Sequence, residues 1–139
     1  MKLALISPVI RDDLHSALDY FNRIQIRHFH FRGKISSTAS TKAVLVESIA
    51  ELEEKISDWS PDLIQAPEPF YGWQWMRLVR YLSRQSTPYF LPWLETRPPQ
   101  KKFGFFLGIL LDRLTRRYVN RARFVWPVSP LQEKLITSL

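Results

Sequence analysis

Glu68 and Glu95 are the two carboxylates whose positions suggest chemistry, because each follows a short apolar segment that reads as a strand running to its end. Two carboxylates facing one cleft can divide acid and base roles, or accept hydrogen bonds from the hydroxyls of a sugar-like ligand. Glu95-Thr96-Arg97 also has a plainer reading, a local ion pair that orders a loop. Close to Glu68 stand Phe70, Tyr71, Trp73 and Trp75. Aromatic faces stack on the apolar faces of sugar rings and on bases, but aromatics at a helix start are also ordinary core. Trp75 is the expected core residue, and Tyr71 or Trp73 the expected surface one.

His28 and His30 are two apart on a strand, so they share one face. A metal site would need a third ligand, and neither a cysteine nor a placed carboxylate supplies it. No metal and no cofactor is expected. The chain lacks the glycine-flanked serine of a nucleophile elbow, and no residue is assigned a bond-breaking role. With 4 glycines against 10 prolines, a glycine-rich phosphate loop is not expected either.

The formal charge of +7 is unevenly placed. Between residues 77 and 123 there are eleven Lys/Arg against two acids, Glu95 and Asp112, so the remainder is slightly acidic. Such a block suits an anionic partner, or else a solvated basic face. Its centre is an expected helix over residues 103–121. At 100° per residue, Leu107, Leu111, Leu114, Tyr118 and Ala122 form the expected buried stripe, and Arg113, Arg116, Arg117 and Arg121 lie on another arc. Phe105, Phe106 and Ile109 fall beside the arginines. Aromatics next to arginines suit a helix lying in a membrane interface, unless another domain covers them.

The elements that would position these residues follow from periodicity and caps. Strands are expected over residues 2–6, 25–31, 43–46, 62–66, 89–94 and 123–128. Helices are expected over residues 12–23, 48–59, 70–84 and 103–121, with a last one starting at Ser129-Pro130. Pro92 should force a bulge or an edge position on its strand. Strands alternating with helices imply parallel βαβ units. The expected fold is an α/β three-layer Rossmann-like sandwich with a mainly parallel sheet, one domain over residues 1–139. Ligands in such sheets bind beyond the carboxyl ends of the strands. That points to residues 7–12, 65–71 and 95–97, and to Ser129.

Composition, at 45% hydrophobic and 24% charged, is globular. The N-terminal apolar stretch is too short for a signal peptide, and the longest apolar run is about half of the roughly 20 residues that a spanning helix needs. The expected location is cytoplasmic, extending to peripheral association with the inner face of the membrane.

Four segments in order resemble family 4 glycosyltransferases of the GT-B fold. They are Asp62-Leu63-Ile64-Gln65-Ala66-Pro67-Glu68-Pro69, Thr87-Pro88-Tyr89-Phe90, Glu95-Thr96-Arg97, and Arg123-Phe124-Val125-Trp126-Pro127-Val128-Ser129-Pro130 with Glu133-Lys134-Leu135. The similarity is to the N-terminal, acceptor-side domain and covers most of residues 44–139. It implies transfer of a sugar from a nucleotide-sugar, without a metal, to an acceptor that in many members is lipid-linked. It also implies a C-terminal donor domain, not contained in these residues, or a partner subunit in its place. The chain by itself is then not expected to be active. On that reading Glu68 and Glu95 orient the acceptor with Tyr71 and Thr96, while Arg11 and Arg97 bind its phosphate; Glu68, Glu95, Thr96 and Arg97 lie within the matching motifs, and Arg11 and Tyr71 lie outside them. The family's glycines after the first strand are replaced here by Pro8-Val9-Ile10-Arg11-Asp12, and Leu94 stands where a histidine is common.

The alternative is a non-catalytic basic α/β module for anionic membrane lipid or nucleic acid. Nucleic acid ranks lower, because no RNA-binding aromatic signature is present. A response-regulator-like domain is weaker still. Asp12-Asp13 offers clustered acids, but the matching aspartate and lysine on later strands are not evident.

Overall fold

The computed structural model describes residues 1–9, 23–31, 42–93, 103–127 and 129–137. The described elements in chain order are β1 (Lys2–Ser7), β2 (Gln25–His30), β3 (Ala43–Leu45), α1 (Ile49–Trp59), β4 (Leu63–Gln65), α2 (Trp73–Leu82), β5 (Tyr89–Trp93), α3 (Phe105–Arg121), β6 (Phe124–Pro127) and α4 (Pro130–Thr137). Every described strand pairing is parallel. The protein is therefore α/β with a parallel sheet, as expected of a Rossmann-like sandwich. The expected helix over residues 12–23 lies outside the described residues. The chain divides into two compact units, Met1–Pro67 and Glu68–Leu139.

In the first unit the strand order is β3-β2-β1-β4. Leu3, Leu5 and Ser7 of β1 stand opposite Ile26, His28 and His30 of β2, and Leu3 and Leu5 also stand opposite Leu63 and Gln65 of β4. Side chains alternate between faces along a strand, so His28 and His30 do share a face with Leu5 and Ser7. Phe29 points to the other face, where its ring meets Trp59 edge-on at 6.4 Å between centroids. Arg27, on the same face as Phe29, lies over that indole at 5.1 Å. Thus α1 covers this face through Trp59. His28, Phe29 and His30 are all fully buried, which requires a sheet covered on both sides.

Caps fix where α1 begins and ends. The Ser48 hydroxyl accepts from the Glu51 N–H at 3.1 Å, and the Glu51 carboxylate accepts from the Glu47 N–H at 2.7 Å. That second bond, with smaller help from Lys55, holds the Glu51 carboxyl below its ordinary pKa. The capping-box spacing was legible, although the reciprocal bond goes to Glu47 rather than to the cap residue. Ser60 closes the helix in the left-handed region at φ 50, donating its N–H to the Ile56 carbonyl at 2.9 Å.

The second unit corrects three expectations. First, α2 starts at Trp73, not at Phe70. Tyr71 has φ 42 and Gly72 is extended, so the chain cannot become helical before them. Second, β5 runs through Pro92 without a bulge, in consecutive register with β6 from Phe90 opposite Phe124 to Trp93 opposite Pro127. The Arg123 N–H donates to the Tyr89 carbonyl at 2.7 Å. In a strand alternate residues direct their backbone groups to the same side, so Tyr89, Leu91 and Trp93 face β6 while Pro92 faces away. The missing proline donor therefore costs the β5–β6 ladder nothing.

The third correction concerns the stripe of α3. The buried residues are Gly108, Leu111, Thr115, Tyr118 and Val119, whereas Leu107 is 51% exposed and Leu114 and Ala122 are only half-buried. The buried arc is rotated by roughly 50° about the helix axis from the expected one, and the two share Leu111 and Tyr118. Gly108 and Thr115 take inward positions that a count of large apolar residues assigns to leucines. Thr115 is tolerated there because its hydroxyl donates to the Leu111 carbonyl at 2.7 Å.

Candidate functional site

The strand order of the first unit reverses direction between β1 and β4. From β1 the chain adds β2 and then β3 on one side, and then returns to add β4 on the other. Such a reversal leaves a crevice at the carboxyl ends of the two strands. Ser7 closes β1 at this rim, and Gln65 closes β4, followed by Ala66 and Pro67, both buried.

One side-chain contact at the rim was not anticipated. Ser7 Oγ lies 2.5 Å from His28 Nε2, and Ser7 Oγ is also within hydrogen-bond reach of the Val9 carbonyl. A hydroxyl has a single proton. With that proton on the Val9 carbonyl, His28 Nε2 is the donor to Ser7; with it on His28, Ser7 is the donor, and the tautomer of the imidazole decides between the two. Either way the pair ties the turn after β1 to β2. The signal was present in the sequence, a serine at a strand end and histidines on a single strand face. What it lacked was the register placing Ser7 diagonal to His28.

Of the acceptor-side residues expected from sequence, Arg11, Glu95, Thr96 and Arg97 lie outside the described residues. The two remaining, Glu68 and Tyr71, belong to the second unit, and both are half-buried. Among the described residues no group of three or more His, Cys, Asp or Glu side chains could hold a metal ion. No family model matches the chain, and no curated protein matches it.

Tyr71 sits at the head of an aromatic chain. Its ring packs on Phe103 at 5.0 Å and on Trp75 at 5.1 Å, and Trp75 meets Tyr118 at 5.9 Å and nearly at right angles. Tyr118 stacks on Tyr89 at 5.6 Å. A bulky residue in the left-handed region costs about 1–2 kcal/mol, and ring packing on two sides offsets that at Tyr71. Trp75 is fully buried and Trp73 is 71% exposed, as their positions had suggested.

Burial pushes the Tyr89 and Tyr118 phenols above the ordinary tyrosine value, with Arg121 opposing the shift at Tyr89 and the Tyr89 phenol adding to it at Tyr118. Tyr89 also donates to the Tyr118 carbonyl at 2.6 Å. An unfolded chain loses these phenolic protons near pH 10 while the folded one retains them. Their contribution to stability is thus complete below about pH 10 and is lost as pH rises beyond it. Urea midpoints measured from pH 8 to 11.5 should fall above pH 10, and less steeply in Tyr89→Phe. Equal slopes for the two proteins would contradict this account.

The six membrane-contact residues named from sequence are all described. Phe105 and Phe106 are 68% and 87% exposed, Arg113, Arg116 and Arg117 are exposed, and Ile109 is half-buried. Arg116 is held by Asp112 at 2.9 Å. Leu110, 52% exposed, and Leu107 join the apolar group that sequence reasoning had drawn too small. Among the described residues no helix is long and apolar enough to cross a membrane.

Proposed function

We propose that this chain is the acceptor-side half of a glycosyltransferase, holding an acceptor hydroxyl while a second domain or subunit presents a nucleotide-sugar. The observation that carries the reading is the reversal of strand order between β1 and β4, with the buried Ala66 and Pro67 leading directly into Glu68. This is the rim where parallel α/β sheets bind ligands, and it is where the motif resemblance puts the acceptor. Fold alone is compatible with many activities, so the motifs contribute the chemistry. The acceptor oxygen attacks the anomeric carbon as the nucleoside diphosphate departs. Glu68 and Glu95 orient the acceptor by hydrogen bonds, Tyr71 and Thr96 line its path, and Arg11 and Arg97 bind its phosphate. Neutralising the leaving diphosphate falls to the donor domain.

The test is nuclear magnetic resonance with the chain as it stands. A short-chain prenyl diphosphate carrying one sugar, added in micelles, should shift the amide resonances of Glu68, Tyr71, Glu95 and Arg97. Glu95→Gln should weaken that binding roughly tenfold, since a hydrogen bond to a charged group is worth about 1.5–3 kcal/mol. Uridine and guanosine diphosphate sugars alone should shift none of them. Tight nucleotide-sugar binding by this chain, or silence toward every sugar acceptor, would remove the proposal.

The second reading, a non-catalytic module for anionic lipid, is favoured by the exposed aromatics beside arginines on α3. It requires no acceptor-dependent shift at Glu68 or Glu95.

A further inference from the structure

Helix α3 is amphipathic in two directions. Across its width, one arc is buried against the second unit, and the opposite arc carries Phe106, Leu110, Arg113 and Arg117 at helical spacing along one ridge. Along its length, the first two turns expose Phe105, Phe106, Leu107 and Leu110, whereas Arg113, Arg116, Arg117 and Arg121 are confined to the later turns. A helix lying flat in an interface would interleave the two kinds of residue along its whole length. Here the apolar end is separate from the cationic end.

We propose that the second unit docks on an anionic lipid surface with α3 tilted, its apolar first turns entering the bilayer boundary and its arginines reaching the phosphates behind them. The distances agree. At 1.5 Å per residue, Phe106 leads Arg113 by roughly 10 Å and Arg117 by roughly 16 Å. Interfacial helices bury their apolar residues about 5–10 Å deep, which leaves Arg113 and Arg117 at headgroup level. Asp112 already neutralises Arg116, and Arg121 donates to the Ser83 carbonyl at 3.0 Å. Arg113 and Arg117 therefore carry the attraction. Among the described residues no side chain caps the helix start. Its first N–H groups need acceptors, and phosphate and ester oxygens at the boundary provide them, which limits insertion to shallow depth.

Other occupants fit less well. A second copy packed parallel through the same ridge would bring Arg113 and Arg117 against their own counterparts, and one packed antiparallel would bury them against Phe106 and Leu110 with no carboxylate on the ridge to pair them. Nucleic acid would satisfy the arginines but leave Leu107 and Leu110 without an apolar partner. The inference is independent of sugar transfer.

The chain has no cysteine, so single cysteines placed at Phe106, Arg113 or Arg117 can each carry an environment-sensitive fluorophore. Flotation with vesicles of 70% phosphatidylcholine and 30% phosphatidylglycerol should carry the protein upward, and vesicles of phosphatidylcholine alone should carry far less. Arg113→Gln and Arg117→Gln should each weaken partition about fivefold, and Phe106→Asp on the order of tenfold or more. These side chains are exposed, so circular dichroism should be unchanged. The label at position 106 should be quenched by acyl-chain spin labels, and the label at 117 by headgroup spin labels. Equal depths at 106 and 117 would refute the tilted geometry. Absence of anionic-vesicle binding, or its replacement by dimerisation or oligonucleotide binding through the same residues, would refute the docking itself.

Discussion

Replacing Trp75 with alanine is expected to cost about 3–5 kcal/mol of unfolding free energy, the range for removing a large aromatic from a packed core. The side chain is fully buried and lies between Tyr71 and Tyr118. Its removal opens a cavity and also withdraws the surface that holds Tyr71 in its left-handed conformation. A control separates packing from hydrogen bonding. The indole Nε1 is buried with no hydrogen-bond partner among the described residues, so Trp75→Phe discards an unsatisfied donor while keeping most of the ring contact. Leaving such a donor buried costs about 1–3 kcal/mol, which offsets much of the volume lost. Trp75→Phe should therefore lie within about 2 kcal/mol of the parent, well above Trp75→Ala in a urea titration. If the two variants unfold together, the edge-on contact with Tyr118 is not what stabilises this unit. The same substitution bears on function, because a displaced Tyr71 should weaken any ligand that stacks on it.

What could be read in the sequence, and what could not, divides along physical lines. The alternation of short apolar strands with helices was legible because it depends on periodicity and caps. Ser48 with Glu51 marked the start of α1, and Ser129-Pro130 marked that of α4. The start of α2 was missed because Tyr71 occupies a conformation that a bulky residue rarely adopts, and no composition rule signals it. The stripe of α3 was misplaced because Gly108 and Thr115 point inward. Burial there follows the shape of the packed surface, not the size of the side chain. Pro92 misled for a related reason. A proline is disruptive only on the side where its donor is needed, and only the pairing register reveals that side.

The candidate site was legible to a lesser extent. Residue types and order pointed to the ends of β1 and β4, and the reversal of strand order lies between them. The Ser7–His28 contact, by contrast, arises from a diagonal across two strands separated by 21 positions. No local pattern encodes such a diagonal. The buried histidines were correctly placed on one face, yet their partner could not be named before the register was known.

Phe29→Ala should be among the most damaging single changes in the first unit. The expected loss is about 3–5 kcal/mol. Phe29 is fully buried on β2, on the face opposite His28 and His30, where its ring meets Trp59 of α1. Truncation removes the ring contact joining that strand to the helix and leaves Trp59 against a cavity. Phe29→Leu fills most of the space and should cost no more than about 1.5 kcal/mol. A second measurement shows whether the damage crosses the sheet. In the parent His28 Nε2 is hydrogen-bonded to Ser7 Oγ at 2.5 Å, so its nitrogen resonance reports the rim directly. Phe29→Leu should leave that resonance in place, whereas Phe29→Ala should shift or broaden it at temperatures well below the unfolding midpoint. A full loss of stability with an unmoved His28 resonance would mean that the two faces respond independently. The rim between β1 and β4 would then owe its geometry to the backbone ladder alone, and Phe29 would matter to the fold without mattering to the site.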